Sequence, residues 1–229
     1  MSRGQFYGAG FPYHPLGEMP GHLIVLEGSD GVGRSTHIQL LRTWLEAEGY
    51  AVSDTGLKRS PLTSPGLDAA KQGHTLGSRT MSLFYAADYA DRLENQIIPV
   101  LKAGFIVLSD RYFYSIIARD VVRGADPAWA RKVYGFALVP DVVMYLRADV
   151  NTLATRIAHG RGFDYWESGM DIRCADNLYD SFCVYQSRLI EQFDQMADEF
   201  NFVSIDATRT VQAIQEDLKR EIRKVLVEE

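Results

Sequence analysis

"HLIVLEGSDGVGRST", residues 22–36, decides the fold. An unbroken aliphatic run stops in a cluster of glycines, and a Ser-Thr pair then opens a helical stretch, about residues 35 to 48, that ends before Gly49. In a strand, turn and helix of this kind, successive backbone N–H groups and the helix N-terminus form a cradle for an anion. Gly31 and Gly33 allow close approach, and the Ser35 hydroxyl can reach a magnesium ion. The pattern G-x-x-x-x-G-K-[ST] is met from Gly28 to Ser35 except that Arg34 stands in place of lysine. Gly31, Val32, Gly33, Arg34, Ser35 and Thr36 are therefore the expected phosphate-binding set, with ATP and Mg2+ as the expected cofactors.

Working outward, four more short apolar runs follow at helix-length intervals: "YAVSDT", "FIVLSD", "DVVMYL" and "FVSID". Continuous Val/Ile/Leu runs separated by helices are how a buried parallel sheet reads, because helices cover both of its faces. The expectation is a three-layer α/β/α domain with a five-stranded parallel sheet, spanning residues 22–229. A segment from about 78 to 102 carries Leu83, Phe84, Ala87, Leu93, Ile97 and Leu101 at helical spacing. Another helix is expected from about 176 to 200, and a last one from about 210 to 226 with Thr210 as N-cap and Val211, Ile214, Leu218, Ile222 and Val225 on one stripe.

Residues 1–21 hold five glycines and three prolines with no helical or alternating period, so they read as an irregular arm. Its aromatics Phe6, Tyr7, Phe11 and Tyr13 suit either docking on a partner or simple packing. Composition narrows the partners further. With 229 residues and 46% hydrophobic composition one core is expected, and a net charge of −6 argues against a broad nucleic-acid or anionic-membrane surface. No apolar run approaches the ~20 residues that cross a bilayer, which predicts a cytoplasmic protein with small-molecule partners. Cys174 and Cys183 have no metal-ligand spacing and read as reduced thiols.

The run "FIVLSDRYFYS" delivers Asp110 and Arg111 at the carboxyl end of a strand. Ligands of open parallel sheets bind there, so Asp110 and the phosphate loop should share a crevice. The carboxylate can hold magnesium, as can Ser35, or orient an attacking oxygen; the guanidinium can clamp a second anion in bidentate fashion.

Set in order, these motifs resemble the thymidylate kinase family of P-loop nucleoside monophosphate kinases over about residues 22 to 226. "EGSDGVGRST" is similar to the family's loop, which implies that Asp30 contacts the acceptor's sugar hydroxyl. "DRY", residues 110–112, matches the signature whose arginine, here Arg111, binds the acceptor phosphate, and Arg59 in "LKRSP" sits where a second arginine does so. "LFYAAD", residues 83–88, looks like the segment whose aromatic, here Tyr85, stacks on thymine. "RIAHGRGFDYWE" occupies the place of the mobile lid, about 157–175, with Arg156 over adenine, and "SIDATRT" looks like the loop, Ala207 included, whose backbone receives adenine. The resemblance implies transfer of the γ-phosphate of ATP to dTMP, giving dTDP, and a homodimer packed through helices.

Three positions depart from the pattern. Arg34 keeps the charge of the loop lysine but is larger and prefers paired contacts. Tyr89 replaces an arginine that reads the thymine edge, with Arg92 one turn on as a possible substitute. Tyr165 replaces a lid arginine, and Arg161, between Gly160 and Gly162, is the expected lid cation beside Asp110 and Arg34 in the catalytic set. The aromatic and acidic stretch "YWESGMD" fits a reshaped acceptor pocket or a packed lid equally well. Two other functions stay open on these departures: a kinase of the same fold with another nucleotide or nucleoside acceptor, and a catalytically weakened nucleotide-binding protein.

Overall fold

The structure, a computed structural model, describes residues 4–11 and 17–227. Tyr13 of the arm lies outside them. Five strands, β1 (His22–Gly28), β2 (Val52–Gly56), β3 (Ile106–Asp110), β4 (Val142–Arg147) and β5 (Val203–Asp206), form one sheet in the order β2-β3-β1-β4-β5. Every neighbouring pair is parallel, with Leu26 opposite Asp110 and Gly28 opposite Leu146 in the central pairs. The five apolar runs are thus the five strands, each within two residues of its expected bounds.

All seven residues of β1 are buried, because helices lie on both sides of it. Leu23 and Val25 point to one face, where α3 (Ser78–Arg92), α4 (Ile98–Lys102), α5 (Phe113–Val122) and α8 (Leu178–Glu199) close a core rich in aromatics. Ile24 and Leu26 point to the other, an aliphatic core completed by α1 (Arg34–Ala47), α7 (Val150–His159) and α9 (Val211–Val227). Burying each such side chain contributes roughly 1.5–3 kcal/mol, so the alternation along one strand holds both layers in place. Thr210 caps α9 as expected, accepting a hydrogen bond from the Ala213 amide at 3.3 Å. Ile214, Leu218 and Ile222 face inward, whereas Val211 at the mouth of the stripe is exposed.

The segment expected as one helix from 78 to 102 is interrupted by a π turn, Leu93–Ile97, between α3 and α4. The wider turn shifts the helical face, so the two halves do not bury one stripe. Leu93, Ile97 and Leu101 are buried, but Leu83 and Ala87 are exposed, and α3 instead turns Ser82, Tyr85, Ala86 and Tyr89 inward. Two short helices, α2 (Ser64–Gly73) and α6 (Pro127–Val133), and a 3-10 turn, Met170–Ile172, complete the described elements.

The described part of the arm is packed onto this body. Phe6 bridges Leu138, the Tyr7 amide donates to Ala137 O at 2.9 Å, and the hydroxyls of Tyr7 and Tyr114 meet at 2.6 Å. Gly8 crosses Gly135 so closely that a Cβ would lie 2.9 Å from its carbonyl oxygen.

Candidate active site

The carboxyl ends of β1, β2 and β3 open into a cavity of about 600 Å³ whose wall includes Asp30, Gly31, Gly33, Arg34, Ser35, Thr36, Arg59, Tyr85, Asp110, Arg111, Arg156 and Arg161. Most of the expected residues are thereby brought together. Val32 and Ala207 stand behind the wall, fully enclosed. Gly31 adopts a φ of +83°, and a Cβ there would meet Ile157 Cγ1 at 2.8 Å, so the loop's path over α7 requires glycine.

Arg34 is folded back into its own loop. Its Nη1 donates to the carbonyls of Gly28 at 2.5 Å and Ser29 at 2.6 Å, and its Nε donates to Asp110 Oδ1 at 2.8 Å. Ser35 Oγ donates to the other carboxylate oxygen at 2.9 Å. Burial alone would raise the Asp110 carboxyl, but the Arg34 and Arg111 guanidiniums and the Ser35 hydroxyl outweigh it and hold the group below the usual carboxylate range. The planar fork of arginine spreads these contacts over two nitrogens, Nε toward Asp110 and Nη1 toward the loop carbonyls, whereas an ammonium would bring all its donors to one point.

Behind the loop lies a second charged cluster. Buried Asp30 is ion-paired with Arg111, receives Arg119 Nη2 on both oxygens at 3.2 Å, and accepts from Gln186 Nε2 at 3.1 Å. Its burial disfavours the charge, yet Arg111 and Arg119 win and hold the carboxyl far below its ordinary value. Arg111 adopts a φ of +73°, unusual for a side chain of this size, and its Nη1 donates to Gly28 O at 3.1 Å and Ser115 Oγ at 3.0 Å. Glu27 fixes this turn from beneath, accepting from the Tyr112 amide at 2.8 Å and from Ser115 Oγ at 2.6 Å. Burial pushes the Glu27 carboxyl up against those bonds.

Arg119, Gln186, Glu27 and Ser115 were not among the sequence expectations. Arg119 had a legible signal, since Ser115, Arg119 and Arg123 recur at four-residue spacing and so share one side of a helix that opens just after Arg111. Gln186 had none, because it reaches Asp30 from 156 residues away along the chain.

Across the cavity from the loop, Tyr85 lines the wall with Lys71 5.6 Å from its ring centroid, and Arg59 leans on Asp54 at 2.8 Å. Tyr89 is not brought to the cavity. It is 0% exposed, set edge-on to Tyr112 at 5.1 Å and packed among Phe113, Tyr134 and Phe136. A large ring with one hydroxyl buries far more favourably than the arginine it replaces. Arg92 is no substitute, being buried and ion-paired with Asp88 at 2.9 Å.

Residues 157–175, expected as a lid, are fastened down over the site. Arg156 spans the loop and the strand-β5 exit, donating to Val32 O at 3.4 Å and Ala207 O at 2.8 Å. Arg161 is ion-paired with Glu167 of the same segment, and both line the cavity. Gln186 Nε2 holds Glu167 O at 2.9 Å, Arg123 grips Asp171 at 2.7 Å, and Trp166 stacks on His74 with centroids 5.2 Å apart. Tyr165 points to the same histidine from its edge, 4.7 Å away, and stands half in solvent. The aromatic, acidic stretch therefore packs on His74 and at the same time lines a cavity through Tyr165, Trp166, Glu167 and Asp171.

Eight guanidinium or ammonium groups face three carboxylates around this one cavity, in a chain of net charge −6. Such local reversal of sign suits a polyphosphate ligand. Two oxygen donors, Ser35 Oγ and Asp110 Oδ2, lie side by side at 2.9 Å, a hard donor pair of the kind magnesium takes from protein while phosphate and water complete its shell. No cluster of three or more His, Cys, Asp or Glu capable of holding a metal occurs among the described residues. Among them, too, no helix is long and apolar enough to cross a membrane.

A sequence profile of the thymidylate kinase family matches residues 26–218. The chain is 39% identical over 212 residues to the probable thymidylate kinase 2 of Saccharolobus solfataricus, covering 92% of this chain and 97% of that one. It is 32% identical over 217 residues to the probable thymidylate kinase of Thermococcus kodakarensis, covering 90% and 99%. With the probable thymidylate kinase of Thermococcus gammatolerans it shares 31% identity over 208 residues, covering 86% and 94%.

Proposed function

The chain belongs to the thymidylate kinase family, and from this premise we propose that it transfers the γ-phosphate of ATP to dTMP, giving dTDP. The observation that carries the reading is the shared cavity: phosphate loop, Asp110–Arg111 and Tyr85 face one space at the carboxyl ends of the strands. Loop amides and Arg34 hold the β- and γ-phosphates, and Arg156 with the Ala207 carbonyl frames adenine. Ser35 and Asp110 would hold Mg2+, which, when bound, neutralises charge on the triphosphate. Arg59 and Arg111 hold the acceptor phosphate, Asp30 reads the acceptor sugar, and Tyr85 carries the base.

The reaction joins an acceptor phosphate oxygen to the γ-phosphorus and breaks its bond to the bridging oxygen of ADP. The protein supplies position and fixed charge, and little covalent chemistry is required of it. Arg161 exchanges Glu167 for the transferring phosphoryl group as the lid settles, and water is excluded from the closed site. The reading extends to a cytoplasmic setting and to a homodimer, for which exposed Leu83 and Ala87 on α3 offer an apolar contact.

A second reading, a nucleotide-binding protein that no longer turns over, has one observation in its favour: Arg34 is engaged with Asp110 and two carbonyls and not held free for a ligand. A coupled assay for ADP release with ATP, magnesium and dTMP separates the two. Turnover well above the enzyme-free rate supports the kinase; nucleotide binding without turnover on any common monophosphate overturns it.

A further inference from the structure

Beyond the phosphate cavity lies a second one, of about 810 Å³, that shares Lys58, Tyr85, Arg119 and Arg161 with the first. Its far end is built by two helical faces. From α3 come Ser78 and Tyr85, with Ser82 between them; from α5 come Ile116 and Asp120, with Arg123 at its C-terminal cap. Resting on the kinase reading, this is where the base of an acceptor nucleotide lies when its phosphate is at Arg111 and its ring on Tyr85.

Most polar groups at that end already have partners. Arg119 is on Asp30, and Arg123 is bound to Asp171, Trp166 O and the Tyr185 hydroxyl. Tyr89, which the family pattern would place at the base, is sealed in the aromatic core. Asp120 differs. One of its oxygens accepts a hydrogen bond from Ser82 Oγ, and the other has no partner among the described residues although the side chain lines the cavity. Ser82 precedes Tyr85 by three residues, about 4.5 Å of helical rise, so Asp120 is held about one turn of α3 from the residue that carries the stacking ring, and both line this cavity. A pyrimidine on Tyr85 presents its edge at that range.

We propose that Asp120 is the base-reading residue of this acceptor site: its unpaired carboxylate oxygen accepts the ring N3–H of a thymine or uracil stacked on Tyr85. The same oxygen opposes cytosine, whose ring N3 is itself an acceptor. A carboxylate is acceptor-only when ionised, which makes the choice one of donor against lone pair. Leaving an acceptor to face an acceptor in a desolvated site is strongly disfavoured, so a single such group discriminates well.

A supporting sign is energetic. Burial pushes the Asp120 carboxyl up to about 6, against the Ser82 hydrogen bond and the fields of Arg123 and Arg119. Tyr134 also faces it, from beyond α6, and Ser82 is its contact on α3. The folded chain thus keeps a poorly solvated carboxylate with one oxygen unused, an arrangement that a ligand donor would complete.

The test is calorimetric binding of dTMP, dCMP and N3-methyl-dTMP to the wild type and to Asp120→Asn, which keeps the volume and an acceptor for Ser82. The wild type is expected to bind dTMP at least tenfold more tightly than either of the others. Asp120→Asn should narrow the dTMP-to-dCMP ratio at least tenfold and leave ATP affinity within about twofold, as a loss of one charge-assisted hydrogen bond would do. Equal binding of dTMP and N3-methyl-dTMP by the wild type overturns the proposal without need of any variant. So does a ratio unmoved by the substitution, and in that case the kinase reading stands if turnover of dTMP is observed. Failure of dTMP to bind at all overturns both.

Discussion

Replacing Arg34 by alanine removes the donors to Asp110 and to two loop carbonyls at once. With ATP and dTMP, turnover is expected to fall by roughly 10²-fold or more, the scale of losing one preorganised charge at a developing anion; unchanged turnover and ATP affinity would refute Arg34 as a phosphate ligand. Arg34→Lys should recover part of the loss, since the charge returns without the fork. At Arg111 the consequence is structural. Arg111→Met leaves Asp30 buried with two of its three side-chain partners, Arg119 and Gln186, and removal of one member of a buried pair costs about 3–5 kcal/mol, measurable by urea unfolding. Asp120 acts in the opposite sense. Its carboxyl, at about 6 against an ordinary 3.8, binds a proton more tightly when folded, so its contribution favours folding below about pH 4 and is lost as pH rises through 6. Asp120→Asn should therefore raise the melting temperature of the ligand-free protein at pH 7.5, by an effect of at most about 3 kcal/mol, and the gain should vanish near pH 4. A variant no more stable than wild type at pH 7.5 would contradict the burial argument.

At the scale of elements, the strands were legible because continuous aliphatic runs have one reading in an α/β chain, and the loop after β1 was legible because its glycines obey a backbone requirement. Helix faces were harder. The spacing from Leu83 to Leu101 looks like a single stripe, but a π turn adds a residue to one turn and rotates everything before it. Tyr85 is inward because of that shift, and Leu83 is outward. Deleting exposed Asn95 should convert the π turn to α geometry and swing α3 by about 100°. Loss of dTMP binding with ATP binding retained is the expected result by calorimetry; undiminished dTMP affinity would show that α3 does not depend on the insertion. Tyr89 was misjudged at the sequence level for a related reason. A motif position fixes where a residue stands along the chain, but the ring's own apolar area decided which way it packed.

For the whole molecule, the electrostatic picture is a negative body with a positive cleft. Nucleotide association should accordingly slow as salt is raised from about 0.05 to 0.5 M, since the Debye length falls well below the width of the cleft; a rate constant independent of salt, in stopped-flow with a fluorescent ATP analogue, would argue against steering. Composition alone did not reveal the cleft, because the net charge averages over a surface that the fold sorts by sign. The contacts of Arg34 bear on how that cleft is filled. A guanidinium tethered beside Asp110 is an internal competitor for magnesium, present at a high effective concentration whatever the cell contains. A metal nucleotide that draws on Asp110 would therefore have to win an exchange with this tethered cation, an exchange for which traces of free divalent ion are poorly placed.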